Sequence, residues 1–281
     1  MGKFSKRTSK ELFAIALETR RIDPDAEAAW DAISVLRRRA TPKIYRKARK
    51  LCRSTDPRER ELGVDILAQF GHRAWKRYPL RKQRVRFLLK VLETETDNGV
   101  LYALTIAFGH LHSSHSNSAL LSLKNHPVSE VRYGVAFGLV TNEDKYPDAI
   151  DALIELSTDR DDDVRDWATF KLGTQLDLDT PEIREALYAR LSDTHQETFD
   201  EALVGLAKRK DQRVFEPLLT ELTTKPDWSV LDFEAAEELA DARLLPALRG
   251  IQADWQWHGK DEKSYHYRSL LDAIRACEAA R

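Results

Sequence analysis

The sequence predicts an all-α fold, an α-solenoid of about six or seven helical hairpins, on three observations. A short pattern returns about every 33 residues, most clearly as VRYGVAFGLV from Val131 to Val140 and VRDWATFKLG from Val164 to Gly173. Aligning the copies on a small or branched residue gives Gly63, Ala103, Val135, Ala168, Ala202 and Ala235, with gaps of 40, 32, 33, 34 and 33 residues. Four places after each anchor stands an apolar residue: Leu67, Ala107, Leu139, Leu172, Leu206 and Leu239. A period of 20–50 residues marks an array whose units bury their apolar faces only against neighbouring units.

The chain opens on about 50 less regular residues, where Ala29 lies 34 before Gly63 and marks a degenerate first copy. Asp56-Pro57 begins the second helix of the first clear copy, since proline suits the first helical position. First helices are expected at Ala149 to Leu156 (AIDALIEL), Ile183 to Leu191 (IREALYARL) and Glu216 to Leu222 (EPLLTEL), each with apolar residues at helical spacing. In the second helix of the 164–173 copy, Asp161 to Asp163 supply carboxylates for the free N–H groups and positive end of the helix. Gly173 is expected to stop that helix. Short loops rich in Asp, Pro, Ser or Thr suit antiparallel helix pairs. Beyond Gly250 the pattern lapses. The expected organisation is therefore a basic helical segment over 1–50, a repeat array over 51–250 and a C-terminal capping segment over 251–281, read as a loop and a terminal helix.

Composition narrows the function classes. Two cysteines at opposite ends, Cys52 and Cys277, make no disulfide framework and point to a reducing compartment. The N-terminal stretch has no signal-peptide core, and the longest apolar run, Val100 to Phe108, is too short to span a membrane. The expectation is a cytoplasmic protein. A formal net charge of −1 hides an asymmetry: residues 1–90 hold 25 Lys and Arg against 10 Asp and Glu, while the remaining residues hold 20 against 36. A basic end of this kind favours an acidic or polyanionic partner, and a basic and an acidic end on one chain allow head-to-tail self-association.

The pattern D-x-x-V-R-x-x-A-x-x-x-L-G resembles HEAT repeats, in particular the short bacterial kind also found in phycobilisome lyases. The resemblance covers roughly residues 50–250 and is clearest from Pro127 to Ala240. The family arginine is present as Arg60, Arg132 and Arg165, and is replaced by Val100, Phe199 and Asp232, so those turns must be tied differently. The resemblance implies a right-handed superhelix that binds proteins, and sometimes nucleic acids, on a concave face.

The candidate binding residues are cations. Arg46, Arg49, Lys50 and Arg53 fall at i, i+3, i+4 and i+7, one stripe of a helix. Lys76, Arg77, Arg81 and Arg84 form a second cluster, with Tyr45, Trp75 and Tyr78 interleaved. Cations neutralise phosphates or carboxylates, and aromatics can stack on bases. The leading expectation is a non-enzymatic adaptor or scaffold whose basic N-terminal end meets an acidic protein partner. The alternative is a nucleic-acid-binding protein, remotely one resembling helical-repeat alkylpurine DNA glycosylases, with Asp166-Trp167 as the carboxylate and tryptophan. A bilin-lyase-like factor is a further alternative.

No metal or other cofactor is expected. His110, His112 and His115 have the look of HxHxxH but fall in a Ser-rich turn, where imidazoles face water rather than one ion. The tail aromatics Trp255, Trp257, Tyr265 and Tyr267 are read as packing of the terminal segment. No Gly-rich phosphate loop, GxSxG, HExxH or paired-cysteine motif is present.

Overall fold

Sixteen α-helices make up the described residues of the structure, a computed structural model, with no strand among them. Those residues are 4–23, 26–71, 80–141, 145–225, 227–257, 261 and 263–280, with backbone alone at 256 and 257. The chain divides into two units, 1–140 and 141–281.

In the first unit α1 (Ser9–Ile22) pairs with α2 (Glu27–Arg39), and α3 (Pro42–Leu51) with α4 (Pro57–Ala68). Next come α5 (Arg81–Leu92) with α6 (Asn98–Leu111), and the short α7 (Asn117–Leu121) with α8 (Ser129–Gly138). The second helices α4, α6 and α8 lie side by side as one layer. The second unit repeats the plan with α9 (Pro147–Leu156) and α10 (Asp162–Phe170), then α11 (Pro181–Arg190) and α12 (Gln196–Lys208). It continues with α13 (Phe215–Thr224) and α14 (Val230–Leu239), then α15 (Leu245–Trp257) and α16 (Tyr265–Ala279). Here α10, α12, α14 and α16 form the layer. Each unit is thus a HEAT-like stack of hairpins, and the fold class is the expected α-solenoid.

The repeat register is the core. All six anchors and all six residues four places later are buried, from Leu67 and Ala168 at 0% exposed to Ala103 at 6%. Start signals are local. Thr41, Asp56 and Thr180 each accept a backbone N–H two or three residues on, and a proline follows at the first helical position. Asp161 accepts from the Val164 N–H at 3.3 Å, as its position implied.

Several expectations change. The hairpins number eight among the described residues, because both chain ends continue the stack: α16 packs on α14 as another second helix would. The boundary expected at 250/251 falls inside α15, so 251–257 is helix rather than loop, with Leu248, Ile251 and Trp255 buried at helical spacing. Gly173 does not end its helix. The chain runs on through a π turn, Lys171–Gln175, and a Cβ built on Gly205 of α12 would lie 2.6 Å from the Gly173 Cα. Both glycines serve a close backbone approach. The released carbonyls are taken by Arg209, whose guanidinium donates to the carbonyls of Leu172, Gly173, Leu176, Leu178 and Gly205 at 2.8–3.0 Å.

Arg60 and Arg165 of the repeat pattern tie each hairpin to the next, and Arg132 ties the turn of its own. Arg60 forms a two-pronged pair with Glu95, at 2.8 and 2.9 Å, and holds the carbonyls of Ser54 and Thr55. Arg165 does the same with Asp193, at 2.9 Å on both prongs, and with the Asp159 carbonyl. Arg132 donates to the carbonyls of His126 and Pro127. Where Asp232 replaces the arginine, a lysine takes over the tie: Lys225 sits among Asp200, Glu221 and Asp232, 3.6 Å from Asp200 and 3.7 Å from Asp232.

Candidate functional site

α3 is amphipathic in its purest form in this chain. Ile44, Ala48 and Leu51 are buried at i, i+4 and i+7, which turns the remaining positions outward. Those positions are cationic. Arg46, Lys47 and Lys50 are exposed, Arg49 is half-buried, and Arg53 is exposed in the turn that follows. Together with Leu51, Ser54 and Glu59 they line a groove of 720 Å³. A neighbouring hollow of 510 Å³ shares Arg53 and Ser54 and adds Phe87 and Lys90 of α5.

The aromatic contacts of the two arginines come from Phe87 of α5, which lines the neighbouring hollow, and from Tyr45 of α3 itself. The guanidinium carbons of Arg49 and Arg53 lie 4.5 and 5.2 Å from the centroid of the Phe87 ring, and Arg49 also lies 5.7 Å from the Tyr45 ring. Such stacking holds an arginine by the ring's quadrupole and leaves its in-plane N–H donors free. Among the described residues, no carboxylate forms an ion pair with Arg46, Lys47, Arg49, Lys50 or Arg53. Elsewhere the contrast is sharp. Arg20 pairs with Glu61 and Asp65, Arg184 with Asp179 and Asp211, and Arg213 with Asp211 and Glu185.

The four stripe residues 46, 49, 50 and 53 are thus brought together. Of the second cluster, the two described members, Arg81 and Arg84, are both committed to backbone carbonyls. Arg84 is fully buried and donates to the carbonyls of Leu67 at 2.6 Å and Ala68 at 3.3 Å. It satisfies the orphan carbonyls at the C-terminal end of α4, where a cation also meets the negative end of the helix dipole. Arg81 is exposed but donates to the carbonyls of Leu111 and His112 at the end of α6. Lys76, Arg77, Trp75 and Tyr78 lie outside the described residues. Phe87 is the member that sequence reasoning missed; nothing local in RVRFLLK says that this ring faces α3.

The second layer of the second unit is the acidic counterpart. Burial raises the Asp166 carboxyl above its usual range. It pushes Glu201 up to about 7, with Asp166, Glu234 and Asp200 adding to the effect against a hydrogen bond from Thr174. Trp167 is half-buried and packs on Phe170 at 5.3 Å, a structural role. Glu201 ionises near 4.5 when unfolded and near 7 when folded, so its contribution lowers stability as pH rises from about 4.5 to about 7. Glu201→Gln is expected to match the native chain at pH 4.5 and to exceed it by roughly 1–2 kcal/mol above pH 7. Denaturation midpoints at the two pH values check this; an equal difference at both would refute it.

Of the histidines, His110 bonds the Gln69 amide at 2.8 Å and stands edge-on to Phe137. His112 ends α6 in a left-handed conformation, and His115 occupies a separate turn. Among the described residues the one group with metal-ligand convergence is Asp200, Glu221 and Asp232, and Lys225 already stands within it. Trp255 and Tyr267 pack against each other at 5.7 Å between α15 and α16, as expected for the terminal segment. Tyr265 is exposed, and the Trp257 side chain lies outside the described set. No helix among the described residues is long and apolar enough to cross a membrane.

Comparison with known proteins fits this architecture. Residues 85–173 match the family model for HEAT repeats. Over 120 residues the chain is 38% identical to protein YibA of Escherichia coli K12, and equally to that of strain O157:H7. The match covers 43% of this chain and 41% of YibA, so it spans about two fifths of the relative's length. The X-ray structure of E. coli YibA superposes with a TM-score of 0.70 at 24% identity, covering 96% of this chain and 93% of that one. A crystal structure of an engineered protein superposes with a TM-score of 0.53 at 17% identity, covering 98% and 82%. The two superpositions establish the fold.

Proposed function

We propose, from the premise that this chain carries HEAT repeats in an α-solenoid, that it is a non-enzymatic scaffold whose α3 groove receives an acidic segment of a partner protein. The observation that carries the reading is the set of five cations on α3 and the turn after it, none with a carboxylate partner among the described residues, in a chain whose other arginines are largely tied. The proposed surface is this groove, on the layer of first helices, rather than a concave face at large. Unpaired exposed cations steer acidic partners and set register more than they add raw affinity. Binding should therefore weaken steeply with salt, since the Debye length shrinks to about 8 Å at physiological ionic strength.

Reversing Arg46, Arg49, Lys50 and Arg53 to Glu is expected to reduce affinity for a labelled glutamate-rich peptide by about a hundredfold at low salt. The thermal midpoint should stay within a few degrees, because Ile44, Ala48 and Leu51 still anchor α3. Fluorescence anisotropy across a salt series measures this. Unchanged affinity would remove the groove from the function. Tighter binding of duplex or single-stranded DNA than of the peptide, surviving physiological salt, would move the reading to nucleic acid.

A further inference from the structure

The groove holds a more specific device than a row of positive charges. Arg49 stands in the last turn of α3 and Arg53 in the turn after it, and the guanidinium groups of both lie over the one Phe87 ring. Phe87 is 6% exposed and so fixed in α5. Among the described residues neither guanidinium has a hydrogen-bond acceptor or a carboxylate partner, and the Arg49 Nε is sealed from solvent without an acceptor. Two like charges have been placed on one ring with their donors unused. This is an arrangement that a concentrated negative charge stabilises.

Resting on the groove reading above, we infer that Arg49 and Arg53 form a two-guanidinium clamp for a phosphomonoester dianion carried by the acidic partner segment. Arg46, Lys47 and Lys50 engage the acidic residues that flank it. The chemistry selects this ligand class. A carboxylate has one charge and two oxygens, and one guanidinium fork satisfies it. A phosphorylated side chain carries close to two charges and three terminal oxygens, which two forks can share while both cations are neutralised. A nucleic-acid backbone spreads single charges at regular intervals and needs a long track of cations. Here the cations that line the groove belong to one ten-residue helix and the turn after it, about 15 Å of axis for the helix, and Glu59 lines the same groove.

The test uses the full chain and labelled probes in fluorescence anisotropy at physiological salt: a glutamate-flanked phosphoserine peptide, the same peptide with glutamate in place of phosphoserine, and duplex DNA. The phosphoserine peptide is expected to bind about tenfold tighter than the glutamate peptide. Arg49→Lys with Arg53→Lys keeps both charges and loses both forks. That double variant should bring the phosphoserine peptide to within about twofold of the glutamate peptide, because the preference rests on the two forks. Thermal unfolding of the variant confirms that it is folded. Equal affinity of the native chain for the two peptides, or a preference that survives the lysine substitutions, overturns the clamp and leaves the basic-groove reading intact. Binding of neither peptide overturns both. DNA binding tighter than the phosphoserine peptide overturns the clamp in favour of a backbone-binding surface.

Discussion

Replacing Arg209 by alanine is expected to cost about 4 kcal/mol of stability or more, near the upper end of single-residue effects. The side chain is 3% exposed and satisfies five backbone carbonyls: Leu172 and Gly173 in the π turn after α10, Leu176 and Leu178 in the loop that follows, and Gly205 in the last turn of α12. Each buried carbonyl left without a donor loses about 1–3 kcal/mol. Water entering the vacated space recovers part of that, so the sum is not realised in full. The cost is large because the fold created the need: the close approach of Gly173 and Gly205 pulls the chain out of α-helical register and strands acceptors that no N–H can reach. Lysine at 209 should recover only a minority of the loss, since an ammonium has three donors on one atom and cannot span acceptors that two guanidinium nitrogens hold apart. Urea denaturation followed by tryptophan fluorescence measures both variants. An alanine variant within 1 kcal/mol of the native chain would show that the carbonyls find other donors.

The same pair of features shows what could be read in advance. Ala168 and Leu172 were legible because burial follows helical period, which is a property of neighbours in sequence. Asp161 and Pro57 were legible because capping is a contact over three residues. Gly173 was legible as unusual but not in its role, because a helix stop and a close approach both call for a missing Cβ. The partition of the cations was not legible. Arg49 and Arg84 sit in equally basic stretches, yet one lines an open groove and the other is buried against the end of α4. The difference lies in whether a helix C-terminus points at the side chain. Arg84 meets the orphan carbonyls of α4, and Arg81 those of α6, contacts set by how hairpins stack. Phe87 joins Arg49 and Arg53 for the same long-range reason. Arginines that close the fold and arginines that face a partner have one composition and one local pattern, and only packing separates them.

Packing also decides the second large effect, at the tie between successive hairpins. Arg165→Ala is expected to destabilise the protein by about 3–4 kcal/mol near pH 7, because it leaves the Asp193 carboxylate, whose side chain is 5% exposed, without its two-pronged partner. Burial works to raise the Asp193 carboxyl, and the hydrogen bonds from Arg165 and the His195 N–H, with the charges of Arg165 and Arg190, together outweigh it and hold the group below the usual carboxylate range. In the native chain that interaction contributes stability above the unfolded value near 3.8 and loses it as pH falls through the lower folded value. In the alanine variant Arg190, at 3.4 Å, and the His195 N–H still face the carboxylate, but burial is opposed less, so the carboxyl rises and the buried charge is relieved by protonation as pH falls. The gap between the two proteins should therefore be widest above about pH 6 and narrow towards pH 3. Denaturation curves at several pH values test the narrowing, and a gap independent of pH would mean that lost packing, not a stranded charge, sets the cost. Replacing both partners, Arg165→Met with Asp193→Asn, should recover at least half of the loss. The asparagine still accepts from the His195 N–H, and a buried ion pair exchanged for neutral groups of like size is close to neutral in stability. Recovery would separate the two jobs of this residue pair: geometry, which neutral groups can imitate, and charge, whose cost appears when the two-pronged partner is removed and the carboxylate remains.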